Sequence, residues 1–168
     1  MAGPIIGGKE WVLHDSTSQS LMEMFENLLN HFGSQKWWPA ETELEMMVGA
    51  ILTQNTNWKN VEKALNNLKK EDMLSLHKLS KLSTSELAAL IRPAGYYNIK
   101  AKLLKNLIDF IVEHYQAELS MFLKGETQAL REGLLSVKGI GPETADSILL
   151  YAVRRPVFVV DAYTHRIM

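Results

Sequence analysis

Cysteine is absent from the 168 residues. That excludes disulfides, thiolate zinc sites and cysteine-held iron–sulfur clusters in this chain. The five histidines, at positions 14, 31, 77, 114 and 165, show neither HxH nor HExxH spacing, so no transition-metal site is expected. No apolar run approaches the roughly 18 residues of a membrane span. The opening Met-Ala-Gly-Pro-Ile-Ile-Gly-Gly has no basic region leading into an apolar stretch, so no secretory signal is expected and the cytoplasm is the expected compartment. Charge of one sign is also lacking. Eighteen Lys and Arg against 19 Asp and Glu leave a formal net charge of −1, which counts mildly against a nucleic-acid partner, since duplex binders usually carry a basic surface. Phosphate can still be held by backbone amides and helix ends.

What is present is apolar residues at helical spacing, with a hydrophobic content of 46%, enough for a core. Residues 1–15 read as a lead-in. Leu21, Phe25, Leu28, Leu29 and Phe32 predict a first helix, stopped at Gly33. Thr42 is placed to cap a second helix bearing Leu44, Met47, Val48, Ile51 and Leu52. Val61, Ala64, Leu65 and Leu68 predict a third. Ser83 with Glu86 forms a capping box for a fourth, with Leu87, Leu90 and Ile91 inward. After a turn at Gly95–Asn98, residues 103–115 predict a long amphipathic helix. A shorter one runs through Leu130, Leu134 and Leu135. Another carries Ala145, Ile148, Leu149 and Ala152. Val157–Val160 reads as a buried extended connector. There is no repeat or low-complexity segment, and the fold class is all-α.

The most specific segment is Leu134-Leu135-Ser136-Val137-Lys138-Gly139-Ile140-Gly141-Pro142-Glu143-Thr144-Ala145. Two glycines permit a tight bend and remove the Cβ atoms between backbone and ligand. Pro142 suits the first turn of a helix, where its missing N–H costs nothing. Free amides at the bend and helix start make an anion site, and small Ala145 lets two helices pack closely. An ordinary αα-hairpin closed by glycines is the plainer alternative. The apolar anchors on both sides favour a phosphate-binding helix–hairpin–helix at about 134–150, which would position a duplex without reading its sequence.

The hairpin followed by Val159-Val160-Asp161 resembles the endonuclease III superfamily of DNA glycosylases. Leu52-Thr53-Gln54-Asn55-Thr56, Gly95-Tyr96-Tyr97-Asn98-Ile99-Lys100-Ala101-Lys102 and Trp37-Trp38-Pro39 extend the resemblance from about residue 21 to the end. The last two segments are most similar to the bacterial 3-methyladenine glycosylases of endonuclease III type. The resemblance implies a helical glycosylase domain over 21–168 after a lead-in of 1–20. A six-helix lobe would span about 40–150. A second lobe would come from 16–36 and 158–168 and be incomplete, because Tyr163–Met168 reads as a helix start at the chain's end. A longer parent would leave room for an iron–sulfur motif.

The resemblance places the essential carboxylate at Asp161. The chemistry agrees: breaking an N-glycosidic bond builds positive charge on the sugar, which a carboxylate stabilises while orienting water. A helix N-cap is the plainer role for Asp161, and the two are compatible. Bifunctional members carry a nucleophilic lysine two residues after the second hairpin glycine, where this chain has Glu143. A carboxylate forms no Schiff base, so a monofunctional hydrolase is expected. Glu143 also serves as a helix-start acid. The resemblance implies a DNA-contacting set of Lys138, Gly139, Ile140 and Gly141, with Gln54 filling the gap left by an extruded base, Tyr96 wedging between bases and Lys100 on phosphate. The plainer alternatives are a loop amide for Gln54, a half-buried aromatic capping the helix at Asn98 for Tyr96, and a solvated surface lysine.

Trp37 and Trp38 are candidates for the base pocket, since an indole face attracts a cationic alkylated purine by about 0.5–2 kcal/mol. Core packing is the competing role, with at least one of the two expected to be exposed. The resemblance also implies an optional K+ or Na+ on the backbone carbonyls of Leu135, Val137 and Ile140, and no required cofactor. The expected partner is double-stranded DNA with damaged or abasic nucleotides, bound by a monomer at the bacterial nucleoid. An endonuclease III-like bifunctional lyase and a non-catalytic DNA-binding module are the alternatives.

Overall fold

The computed structural model describes residues 15–35 and 38–167, and it divides into two compact units, Met1–Trp37 and Trp38–Met168. The lead-in and Trp37 lie outside the described residues. In the first unit, α1 (Asp15–Phe32) follows the predicted apolar spacing. Leu21, Phe25, Leu28, Leu29 and Phe32 are all exposed. Gly33, in the left-handed region at φ 68°, ends the helix by donating its amide to the Leu29 carbonyl at 2.8 Å.

The second unit is built around α2 (Glu43–Leu52), nine of whose ten residues are buried. A helix apolar on every side belongs in the interior, and α2 packs against four other elements of the unit. Its start is fixed by Thr42, whose Oγ1 accepts the Glu45 amide at 3.1 Å. Next come α3 (Trp58–Lys70), α4 (Leu76–Lys81), α5 (Thr84–Leu90) and a short 3-10 turn, Arg92–Ala94. The Ser83–Glu86 capping box forms as predicted. The long α6 (Tyr97–His114) buries Ala101, Leu104, Leu107, Ile108 and Ile111 and lies against α4 and α5. Each buried leucine or isoleucine among them stabilises the fold by about 1.5–3 kcal/mol. Then follow α7 (Leu119–Leu123), α8 (Thr127–Ser136), α9 (Pro142–Ser147), which continues as a π-helical turn over Ile148–Ala152, and α10 (Thr164–Ile167). There is no strand among the described residues, and the class is all-α.

The connector at 157–160 differs from expectation. Exposure alternates along it, with Val157 and Val159 half-buried and Phe158 and Val160 exposed. Exposure follows the period-two geometry of extended backbone, and of the four side chains Val157 packs against the core.

Candidate nucleic-acid interface and catalytic carboxylate

The hairpin joins α8 to α9. Val137 and Ile140 are buried and anchor it, while Lys138, Gly139, Gly141, Pro142 and Glu143 are exposed. The Ile140 amide closes the bend onto the Val137 carbonyl at 3.0 Å. Gly139 sits at φ 95°, where only glycine is unstrained, and a Cβ there would lie 2.0 Å from Leu103 Cδ2. Gly141 has an ordinary φ of −93°, and nothing lies within 4 Å of where its Cβ would be. Its lack of a side chain leaves open space in front of the bend rather than relieving a clash.

Two side chains hold carbonyls of the bend. Asn106 Nδ2 donates to the Lys138 carbonyl at 2.9 Å, and Gln54 Nε2 donates to the Gly139 carbonyl at 3.5 Å and to Thr144 Oγ1 at 3.1 Å. In a trans peptide N–H and C=O point oppositely, so holding the Lys138 oxygen aims the Gly139 amide away from Asn106. Among the described residues the amides of Gly139, Gly141 and Glu143 donate to no partner. Exposed, unspent donors on one bend are what an anion needs.

Beneath the bend, Arg131 on α8 makes a bidentate pair with Asp146 on α9, at 2.7 and 3.0 Å. Asp146 is 7% exposed. Removing one partner of a buried pair costs more than the pair itself contributes. Because the arginine end is partly exposed, Arg131→Met is expected to destabilise the chain by about 1–3 kcal/mol in urea unfolding, the cost of leaving the Asp146 acceptors unpaired. An unchanged midpoint would mean that water already solvates Asp146.

Asp161 is half-buried at the start of α10. Its Oδ1 accepts the Thr164 amide at 2.7 Å and the Thr164 hydroxyl at 2.8 Å, so the N-cap geometry is realised. These hydrogen bonds, the backbone one foremost, hold the carboxyl below its usual range and keep it ionised. The Tyr151 phenol is pushed up by burial and then by the negative charge of Asp161. Tyr151 lies on the π turn that continues α9, so the hairpin's second helix leads directly to the aspartate's surroundings.

Tyr151 in turn packs on Trp38, ring centroids 5.3 Å apart, and Trp38 meets Trp58 edge to face at 5.7 Å. Trp38 is half-buried, and its indole N–H is buried without a partner. That nitrogen would lie 3.4 Å from a Cβ at Gly49, so its N–H edge faces α2. Trp38 thus serves the core along one edge and the aromatic cluster along its face. Sequence reasoning missed Tyr151 and Trp58. The usable signal was two more aromatics flanking the glutamine loop and the hairpin helix.

Tyr96 is 69% exposed, in the left-handed region at φ 45°, and its side chain caps nothing. The half-buried aromatic at this turn is instead Tyr97, which has the Arg92 guanidinium 5.9 Å from its ring centroid. Lys100 requires a correction. Expected on phosphate, it is 2% exposed. Its Nζ donates to the Leu52 carbonyl at 2.9 Å and the Ala94 carbonyl at 2.7 Å. Burial pushes its pKa down. It occupies the inward face of α6 beside Ala101 and Leu104, where no phosphate reaches.

The carbonyls of Leu135 and Ile140 accept no hydrogen bond among the described residues, and that of Val137 accepts one and keeps a second lone pair. Neutral oxygens without a carboxylate fit a hard cation of low charge.

Residues 48–168 match the HhH-GPD superfamily of base excision DNA repair proteins. The chain is 53% identical over 155 residues to a provisionally assigned DNA repair glycosylase of Methanocaldococcus jannaschii, covering 92% of this chain and 70% of that protein. It is 30% identical over 122 residues to endonuclease III of Thermotoga maritima, covering 73% of this chain and 53% of that enzyme. Among solved structures, a 3-methyladenine DNA glycosylase of H. pylori bound to 1,N6-ethenoadenine superimposes with a TM-score of 0.72 at 38% identity, covering 89% and 70% of the two chains. A non-covalent endonuclease III–DNA complex superimposes with a TM-score of 0.73 at 21% identity, covering 89% and 66%. At that identity the likeness is one of fold.

Proposed function

The chain belongs to the HhH-GPD superfamily of base excision DNA repair proteins, and from that footing we propose that it is a monofunctional DNA glycosylase that hydrolyses the bond between an alkylated base and its sugar. One observation carries the reading. A bend with unspent, outward amides is followed by a helix whose continuation brings Tyr151 under the influence of an ionised Asp161. The amides of Gly139 and Gly141 hold a backbone phosphate, with Lys138 beside them. The carboxylate of Asp161 stabilises the oxocarbenium-like sugar and orients water. Because it resists protonation, its contribution is electrostatic rather than proton storage. Water adds to the sugar C1′, the C1′–N bond breaks, an alkylated purine leaves as the neutral base, and the proton of water passes to solvent.

Tyr96 wedges into the stack. Gln54 fills the vacated position, for which its amide must leave Gly139 and Thr144. Trp38, with Tyr151 and Trp58, supplies electron-rich faces for a cationic base. The carbonyls of Leu135, Val137 and Ile140 would hold a monovalent cation, which would place positive charge behind the bend. The damaged duplex in the cytoplasm is the proposed site of action. No helix among the described residues is long and apolar enough to cross a membrane.

Glu143 supports the monofunctional reading. It is exposed in the first turn of α9, where a lysine would be required for lyase chemistry. Incubation with abasic duplex and borohydride is expected to leave no covalent adduct and no enzyme-dependent strand break. A trapped adduct would establish an amine nucleophile and overturn the monofunctional reading.

A further inference from the structure

Lys100 is a buried cation for which base release has no use. It lies in the first turn of α6, and its ammonium reaches the last carbonyl of α2 and the last carbonyl of the 3-10 turn. Such terminal carbonyls have no partner within their own helix and carry the negative end of its dipole. One cation caps both. No carboxylate pairs with it among the described residues. Its partners are therefore the ends of two segments, and each end leads into a turn.

After Leu52 the chain turns through Gln54 and Asn55, the latter at φ 52°. After Ala94 it turns through Gly95 at φ 68° and Tyr96 at φ 45°. Each turn holds a non-glycine residue in the left-handed region; asparagine adopts it readily, whereas Tyr96 keeps it only where the surroundings impose it. Extruding a base costs a few kcal/mol. A wedge on a yielding loop would recoil rather than transmit that force.

We propose that Lys100 is a positioning residue for base extrusion, its ammonium locking the turn of Gln54 to the turn of Tyr96 so that both meet the duplex as one stiff unit. The inference rests on the extrusion roles proposed for those two residues. It explains why a lysine occupies an interior position where an aliphatic side chain would cost less to bury.

A merely structural lysine would slow release from every substrate alike, whereas an extrusion defect disappears when the base is already out of the stack. The test uses the full chain as wild type, Lys100→Met, Lys100→Gln and Tyr96→Ala, well below each thermal midpoint. Single-turnover release of 3-methyladenine is measured from a paired duplex and from the same strand with the damaged base in an unpaired bulge. Lys100→Met is expected to lose about tenfold or more on the paired duplex, a decade being ~1.4 kcal/mol, and to approach wild type on the bulge. Should the Met variant fail to fold, Lys100→Gln carries the same comparison. Equal losses on both substrates overturn the inference alone. Wild-type rates from Tyr96→Ala on the paired duplex overturn the extrusion roles and the inference with them. No release by wild type from either substrate overturns the glycosylase reading beneath both.

Discussion

Asp161→Asn is expected to lower base release by about 10²–10³-fold while leaving the fold and DNA affinity unchanged. The substitution is clean because asparagine ranks with aspartate as an N-cap. Its Oδ1 can still accept the Thr164 amide and hydroxyl that Asp161 accepts at 2.7 and 2.8 Å. Only the charge is removed. Loss of the folded state at the assay temperature alongside the loss of activity, beyond the small fall that removal of the charge itself brings, would instead attribute the effect to the cap.

The pH dependence of Asp161 has a definite sign. Its folded pKa is depressed, so its contribution to stability is present above the unfolded value and is lost as pH falls through the folded one. The carboxylate needed for chemistry persists over the same window. The acid limb of the single-turnover rate is expected below the ordinary aspartate pKa of about 3.9. A limb near neutrality would point to another group.

Gly141→Val separates the two hairpin glycines. At φ −93° and ψ 177° the backbone is one a β-branched residue adopts readily, and no atom lies within 4 Å of the added Cβ. The variant is expected to fold with an unchanged midpoint. Its isopropyl group would fill the space in front of the unspent amides, and duplex affinity is expected to fall by at least about tenfold, or ~1.4 kcal/mol. Gly139→Ala is the contrast. There φ is 95° and the Cβ meets Leu103 at 2.0 Å, so the hairpin itself is strained by about 1–3 kcal/mol. Unchanged affinity in Gly141→Val would remove the bend as the anchor.

Features written locally were legible in the sequence. The cap at Thr42, the capping box at Ser83 and Glu86 and the stop at Gly33 each depend on residues within four positions. The hairpin could be read because its glycines mark a backbone shape. The missed elements, α4 and α7, are six and five residues long, too short for a periodicity. The missed contacts join distant positions. Asn106 reaches Lys138 and Gln54 reaches Gly139 across 32 and 85 residues. Lys100 was misplaced for a related reason. Its residue type speaks for the surface, while its burial is decided by two carbonyls supplied by other segments. Asp161 could be named by its place after the hairpin, whereas Tyr151 offered the sequence only an aromatic on the hairpin helix, and the π turn sets where its ring points.

The most direct test is to incubate the chain with duplexes bearing 3-methyladenine, 7-methylguanine, hypoxanthine, uracil or an oxidised pyrimidine, and to quantify released base and broken strand separately. The account predicts free methylated purine with the sugar–phosphate strand left whole. Strand cleavage accompanying release, or no free base from any duplex, would contradict it.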